Sequence, residues 1–324
     1  MTSRRALIAL TAASLQSWPL RSLAQVAGAN RRIAWLSLGT SLQQAEFVAG
    51  LRDLGWVQGK NLVIDTRFVA GDLARVVPLT AELLALKPDV FIASTDAIAR
   101  VAAQTDKSLR VVFLIGFDPV GVGLVKSLAA PGGNATGFSV LNYELNPKRL
   151  ALLKEAIPRL DKVAVVYRDG DPVALKALVL TEKAGRDLNL ELIRAPFRRA
   201  EDLQVAFERL AASGVKAVIK VPDPMLINMR YQIAEMAIAH RLAASFGATD
   251  YADAGMLMAY APDFLPLIRR AALLVDRLLK GAAPSDIPVE QANTYELVLN
   301  LRTARVLGIE IPRSLLFQAT RLIE

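Results

Sequence analysis

Cysteine is absent from the chain and histidine occurs once. The first absence excludes thiol nucleophiles, disulfide scaffolds, thiolate zinc sites and cysteine-linked lipid. The second excludes a pair of histidine metal ligands and leaves His240 as the sole imidazole for any triad. Aromatic residues are sparse, at 6%. No basic stripe is interleaved with them, which disfavours a nucleic-acid surface. Beyond the N-terminus no apolar run approaches the roughly 20 residues that span a membrane. What the chain does have is 324 residues, 53% of them hydrophobic and 22% charged. That composition supports a sizeable core in one large or two medium domains.

The N-terminus reads as an export signal. Arg4 and Arg5 precede the apolar run Ala6–Leu15, a breaker follows at Pro19, and Ser22-Leu23-Ala24 supplies small residues before a cleavage point. Residues 1–24 are therefore expected to be a signal peptide. Ser3-Arg4-Arg5-Ala6-Leu7-Ile8 is similar to a twin-arginine signal, and an ordinary Sec signal fits as well. Removing residues 1–24 takes away Arg4, Arg5 and Arg21 and no acid, which lowers the formal charge from +8 to +5. The mature chain is expected to diffuse freely in a periplasm as a monomer.

After the signal, short apolar runs alternate with helical patterns. Ile33–Leu36, Leu62–Phe68, Asp89–Ala93 and Val111–Ile115 read as strands, with helices between them. Thr40 is placed to cap the first helix, with Gln43 three residues on. Pro131-Gly132-Gly133-Asn134 interrupts the pattern, which then restarts with strands at Val163–Tyr167, Leu190–Arg194 and Ala217–Ile219. Two α/β halves of roughly a hundred residues are predicted, each built on a parallel sheet. Residues 264–279 carry a strong apolar stripe, ended by Lys280-Gly281.

Several motifs fail on their chemistry. Gly55–Asn61 is one residue short of a phosphate loop and ends in Asn61 where Ser or Thr is needed. Gly121-Val122-Gly123 lacks the third glycine of a dinucleotide fingerprint. No cofactor and no metal are expected. Open parallel sheets bind ligands at strand carboxyl ends, where helix N-termini offer free N–H groups. The residues falling there are Ser37, Gly39, Thr40, Ser94, Thr95, Asp96, Phe117, Asp118, Arg168, Asp169, Pro222, Asp223 and Phe246. Hydroxyls and helix N–H groups suit a carboxylate, Asp an ammonium and aromatics an apolar side chain. Ordinary helix capping explains the same residue types.

A set of ordered stretches carries a family resemblance. They are Gly50-Leu51-Arg52-Asp53-Leu54-Gly55-Trp56, Leu86-Lys87-Pro88-Asp89-Val90, Asp118-Pro119-Val120, Gly123-Leu124-Val125 and Pro131-Gly132-Gly133-Asn134-Ala135-Thr136-Gly137. The C-terminal part adds Leu278–Pro284, Ile287-Pro288-Val289-Glu290 and Leu307–Pro312. With these the sequence resembles the substrate-binding proteins of ABC-type transporters, in the branch that includes tryptophan- and tyrosine-binding members. The resemblance implies a type I periplasmic-binding-protein fold, an α/β architecture of two Rossmann-like lobes with parallel sheets joined by a three-crossover hinge. The crossovers are expected near Phe138-Ser139, Phe246–Ala248 and Ile287–Val289. Residues 31–138 plus 248–286 would then form lobe 1, and 139–247 plus 287–324 lobe 2.

The function implied is capture of a small organic ligand, amino-acid-like or aromatic, and delivery to the membrane permease of an ABC importer. Enzymatic activity is not implied. Presentation of ligand to a membrane sensor is the alternative, and an exported α/β enzyme a more distant one. The ligand-binding candidates are Ser37, Gly39, Thr40, Thr95, Asp96, Phe117 and Asp118 on one side, with Arg168, Asp169, Asp223 and Phe246 on the other. Members of the family often carry Asn at the position of Arg168. An Arg there either reaches an anionic group on the ligand or points to solvent.

Overall fold

The computed structural model describes residues 30–38, 43–70, 72–140, 142–221, 223 and 225–324. The expected signal peptide, Gly39, the Thr40 cap and Pro222 lie outside the described residues. The chain begins with β1 (Arg31–Ser37), α1 (Gln43–Asp53), β2 (Leu62–Phe68), α2 (Val76–Ala85), β3 (Val90–Thr95), α3 (Asp96–Thr105), β4 (Arg110–Gly116) and β5 (Ala135–Ser139). It continues with α4 (Asn146–Ala156), β6 (Lys162–Arg168), α5 (Pro172–Asp187), β7 (Glu191–Phe197), α6 (Asp202–Ala212), β8 (Ala217–Lys220), α7 (Arg230–Ala239), β9 (Ala243–Phe246), α8 (Thr249–Asp253) and β10 (Met258–Pro262). Then come α9 (Phe264–Leu279), β11 (Glu290–Gln291), β12 (Tyr295–Asn300), α10 (Leu301–Leu307), α11 (Arg313–Gln318) and β13 (Arg321–Ile323).

These strands form two sheets, one in the order β11-β5-β4-β3-β1-β2 and one in the order β13-β12-β10-β9-β8-β6-β7. All recorded pairings between these strands are parallel except β10 with β12, which run antiparallel. Parallel strands in mid-sheet are buried on both faces, so their sequences are continuously apolar rather than alternating. Val90 to Ala93 and Val163 to Val166 are accordingly all buried. Each sheet is thus the middle layer of one α/β lobe.

Two expected crossovers need correction. The chain leaves the first sheet after β5, as the resemblance implied. It does not return near Phe246–Ala248, because α8 and β10 still belong to the second lobe. The return comes between Pro262 and Phe264, fifteen or so residues later. The last crossing follows β11, which pairs with β5 through Glu290↔Phe138 and Gln291↔Ser139. Residues 287–291 therefore belong to the first lobe rather than the second. Helix α7 starts at Arg230, behind a short 3-10 turn at Met225–Ile227.

Local chemistry explains where the helices start and pack. Thr95 caps α3 by accepting from the Ile98 N–H, and Asp263 caps α9 by accepting from the Leu265 N–H. Asn300 caps α10 through the Thr303 N–H, and Gly308 ends it in the left-handed conformation. Helix α9 buries Leu267, Ile268, Ala271, Leu274, Val275 and Leu278 against the first sheet and α1. Gly50 lets the two helices approach closely, since a Cβ there would stand 2.9 Å from the Ala272 Cβ. The Trp56 indole N–H donates to Asp276 at 2.9 Å, which ties the loop after α1 to the same helix. Truncating one of the buried leucines of α9 to alanine should cost about 2–5 kcal/mol.

Candidate functional site

The two sheets present their carboxyl ends to one another. Asp118, two residues past β4, sits in the first lobe, and Lys176 lies in the first turns of α5 in the second. Their side chains form an ion pair at 2.7 Å across the space between the lobes. The Asp118 carboxylate is held in place for this. Its other oxygen accepts the Gly121 N–H at 3.0 Å. A Cβ at residue 121 would lie 2.2 Å from an Asp118 oxygen, so any larger residue there would push the carboxylate out of this position.

On the first-lobe wall, the predicted residues are mostly committed to the fold. Ser37 closes β1 and is buried. Ser94 Oγ accepts from the Leu38 N–H at 3.2 Å. The Thr95 hydroxyl is the α3 cap. Asp96 uses both carboxylate oxygens, one accepting the Ala97 N–H and the other the Asp118 N–H, each at 2.9 Å. Burial raises the Asp96 carboxyl above its ordinary value, against the lowering effect of those backbone donors. Asp96 therefore fixes where Asp118 stands. Phe117 is partly buried against the core of the first sheet.

The second-lobe wall departs further from the residue-by-residue expectation. Arg168 at the end of β6 and Asp223 after β8 pair with each other. The guanidinium donates to the two carboxylate oxygens at 2.7 and 3.0 Å. It also lies 5.6 Å from the centre of the Phe197 ring. Asp223 thus carries an Arg partner where the sequence suggested a ligand ammonium. Asp169 accepts from Arg198 at 2.8 and 2.9 Å, a pair exposed to solvent. Phe246 was expected to face the ligand, yet it is 0% exposed and packs edge-on against Tyr251 at 5.0 Å. It lies beneath the wall, because alternation along β9 turns Ala244 and Phe246 together into the core.

The sequence reading passed over Lys220. It ends β8 and is 6% exposed. Its ammonium lies 5.2 Å from the centre of the Tyr251 ring and 5.9 Å from that of Phe246. Burial pushes it down to about 7, with Asp223 opposing the shift and Arg149 adding to it. The available signal was a lysine closing the otherwise apolar run Ala217-Val218-Ile219. Arg149 is buried too, and desolvation brings it down to about 9. Its guanidinium donates to the Tyr260 carbonyl and the Asn146 side chain at 2.9 and 2.7 Å.

A cavity of about 890 Å³ lies elsewhere, at the amino ends of β4 and β5. Arg100, Lys107, Arg110 and Lys126 border it, along with parts of Gly123–Val125, Pro131–Asn134 and Gly281–Pro284. Three of the stretches that carry the resemblance therefore shape the far end of the first lobe rather than the cleft. Among the described residues no three His, Cys, Asp or Glu side chains converge to hold a metal ion. No described helix is long and apolar enough to cross a membrane.

Comparison with known proteins decides the family. Residues 39–323 match the family described as ABC transporter substrate binding protein. The chain belongs to that family. As a substrate-binding protein it is similar to the tyrosine-binding protein of Clostridioides difficile, with 25% identity over 273 residues, 83% of this chain and 78% of that protein. Among solved structures, a conserved domain protein from Vibrio cholerae is similar with 26% identity and a TM-score of 0.84, covering 90% of this chain and 99% of that one. A Streptococcus pneumoniae domain crystallised with L-Trp shares the fold at 23% identity and a TM-score of 0.82, covering 91% of this chain and 100% of that one. The two α/β lobes with mostly parallel sheets are those of a type I periplasmic binding protein.

Proposed function

We propose that this substrate-binding protein captures a small organic ligand, amino-acid-like or aromatic, in the cleft between its lobes and delivers it to the permease of an ABC importer. It works outside the cytoplasm, exported by the signal at residues 1–24 and acting as a monomer. The observation that carries this reading is the Asp118–Lys176 contact, which brings the strand carboxyl ends of both lobes to one space. A ligand held there touches both lobes at once, and only such contacts favour the closed form over the open one. The closed form is then the shape that a permease recognises. The tyrosine-binding relative and the neighbour holding L-Trp make aromatic amino acids the first ligands to try.

The test is a thermal-shift screen of the purified protein against amino acids, aromatic acids, nucleosides and small sugars. A ligand that binds only the folded state stabilises it by about 2.7 kcal/mol at a hundredfold excess over its dissociation constant. A shift confined to one chemical class supports the carrier reading. No shift across the panel, with no small molecule released from the denatured protein, would count against it.

A further inference from the structure

We infer that Lys220 is the seat for an anionic group of the ligand, so that the cleft selects a carboxylate and does not depend on an ammonium. This rests on the carrier reading above and names the ligand chemistry of the same cleft.

The argument starts from the charges on the second-lobe wall. Arg168 and Asp223 neutralise each other. Asp169 is taken by Arg198 and Asp118 by Lys176. Lys220 is left over: among the described residues its ammonium has no hydrogen-bond or ion-pair partner, only the faces of two aromatic rings. Asp223 favours its charged form without pairing with it, and a buried cation with no counter-ion in contact is costly, so it persists in a fold where something else repays the cost. The position fits a ligand contact. Lys220 is the last residue of a central parallel strand, at the end where such sheets bind ligands. The hydroxyl of neighbouring Tyr251 is also buried without a hydrogen-bond partner among the described residues, which offers a neutral donor near the ammonium. The candidate ammonium receptors are spent in contrast: Asp223 holds Arg168, and Asp96 holds two backbone N–H groups.

Capture on this seat carries a proton signature. Burial holds Lys220 near 7, so at alkaline pH it is neutral, and an arriving carboxylate draws a proton onto it. The other charged groups around it are Asp223, which favours the charged form, and Arg149, which opposes it. Around the adjoining Tyr251 stand Asp250 and Arg230, and Arg168 closes the wall through Asp223. Asp96 across the cleft is raised from an acidic value.

The probes are benzoate, which has a ring and a carboxylate but no ammonium, benzylamine, which has the reverse, and L-tryptophan. Binding is measured calorimetrically between pH 6 and 8.5 in two buffers of different ionisation enthalpy. Benzoate should bind and benzylamine should not. Benzoate affinity should fall roughly 30-fold from pH 6 to 8.5, with close to one proton taken up per ligand at the alkaline end. Lys220→Met should abolish benzoate binding. Lys220→Arg should keep it while removing the pH dependence, because guanidinium stays charged. The inference is overturned if benzoate does not bind, if it binds without proton uptake, or if Lys220→Met binds it as wild type does. L-tryptophan binding with pH-independent affinity would sink the seat and leave the carrier reading standing. Benzoate binding with the expected proton uptake, but no amino acid bound, would uphold the seat and narrow the carrier's ligand to aromatic acids.

Discussion

Replacing Lys220 with methionine should stabilise the fold, a rare outcome for a core substitution. The lysine goes from an ordinary 10.5 to about 7 on burial. A folded value below the unfolded one means that the unfolded chain binds the extra proton between those two pH values. Stability contributed by this position is therefore full above about 10.5, is lost as pH falls toward 7, and stays lost below it. At 1.36 kcal/mol per unit, the cost relative to a neutral side chain is about 4 kcal/mol at pH 7 and about 1 kcal/mol at pH 9.5. Methionine matches lysine in length and buries without charge. The lost contacts between ammonium and the Tyr251 and Phe246 rings offset about 1–2 kcal/mol. Lys220→Met should thus be about 2–3 kcal/mol more stable than wild type at pH 7, and the gap should close by pH 9.5. Urea denaturation followed by circular dichroism at pH 6, 7, 8 and 9.5 measures it. Curves for the two proteins that run parallel with pH, or a variant less stable at neutral pH, would refute the reasoning.

Three further outcomes are expected. Lys176→Met removes the ion pair with Asp118. Because the lysine side chain is about half exposed, the loss is at most about 1 kcal/mol, and it should appear as a larger radius of gyration of the ligand-free protein in solution scattering; an unchanged radius means the pair does not hold the lobes together. Thr95→Ala should cost about 1 kcal/mol of stability by removing the α3 cap while leaving ligand affinity unchanged, since the hydroxyl is already committed to the Ile98 N–H; a tenfold loss of affinity would return Thr95 to the binding surface. Arg168→Met removes the two hydrogen bonds that the guanidinium gives the buried Asp223 carboxylate and should cost about 3 kcal/mol in thermal denaturation, most of it recovered in the double variant with Asp223→Leu; equal stability of the two variants is the contrary result.

The sequence showed its layers more clearly than its walls. A stripe that repeats with helical period needs no distant partner to be recognised, and residues 264–279 form a helix with those bounds. The stretch 249–262 escaped notice because α8 has only five residues, too few to show a period. Its neighbour β10 draws its antiparallel partner from Tyr295–Asn300, beyond any local pattern. The site shows the same division. Arg168 and Asp223 were each nominated by position at a strand end, but their pairing depends on β6 and β8 lying side by side. Phe246 ends a strand as expected, yet which face it takes follows from the pleat and the sheet's two covered sides. Lys220 was written plainly into an apolar run, and its meaning emerged only once the fold set its ammonium over two aromatic rings with no ion pair among the described residues.

The three crossings between lobes bear on the order in which the molecule can be completed. The first lobe includes α9 and β11, and α9 covers one face of its sheet, so that lobe lacks a wall until residue 279 has been made. The second lobe waits longer, because β12 and β13 close its sheet from residues 295–323. A growing chain therefore holds two unfinished sheets until β11 completes the first, and the second stays open until nearly the last residue; neither lobe corresponds to a single continuous fragment that could be cut out and produced alone.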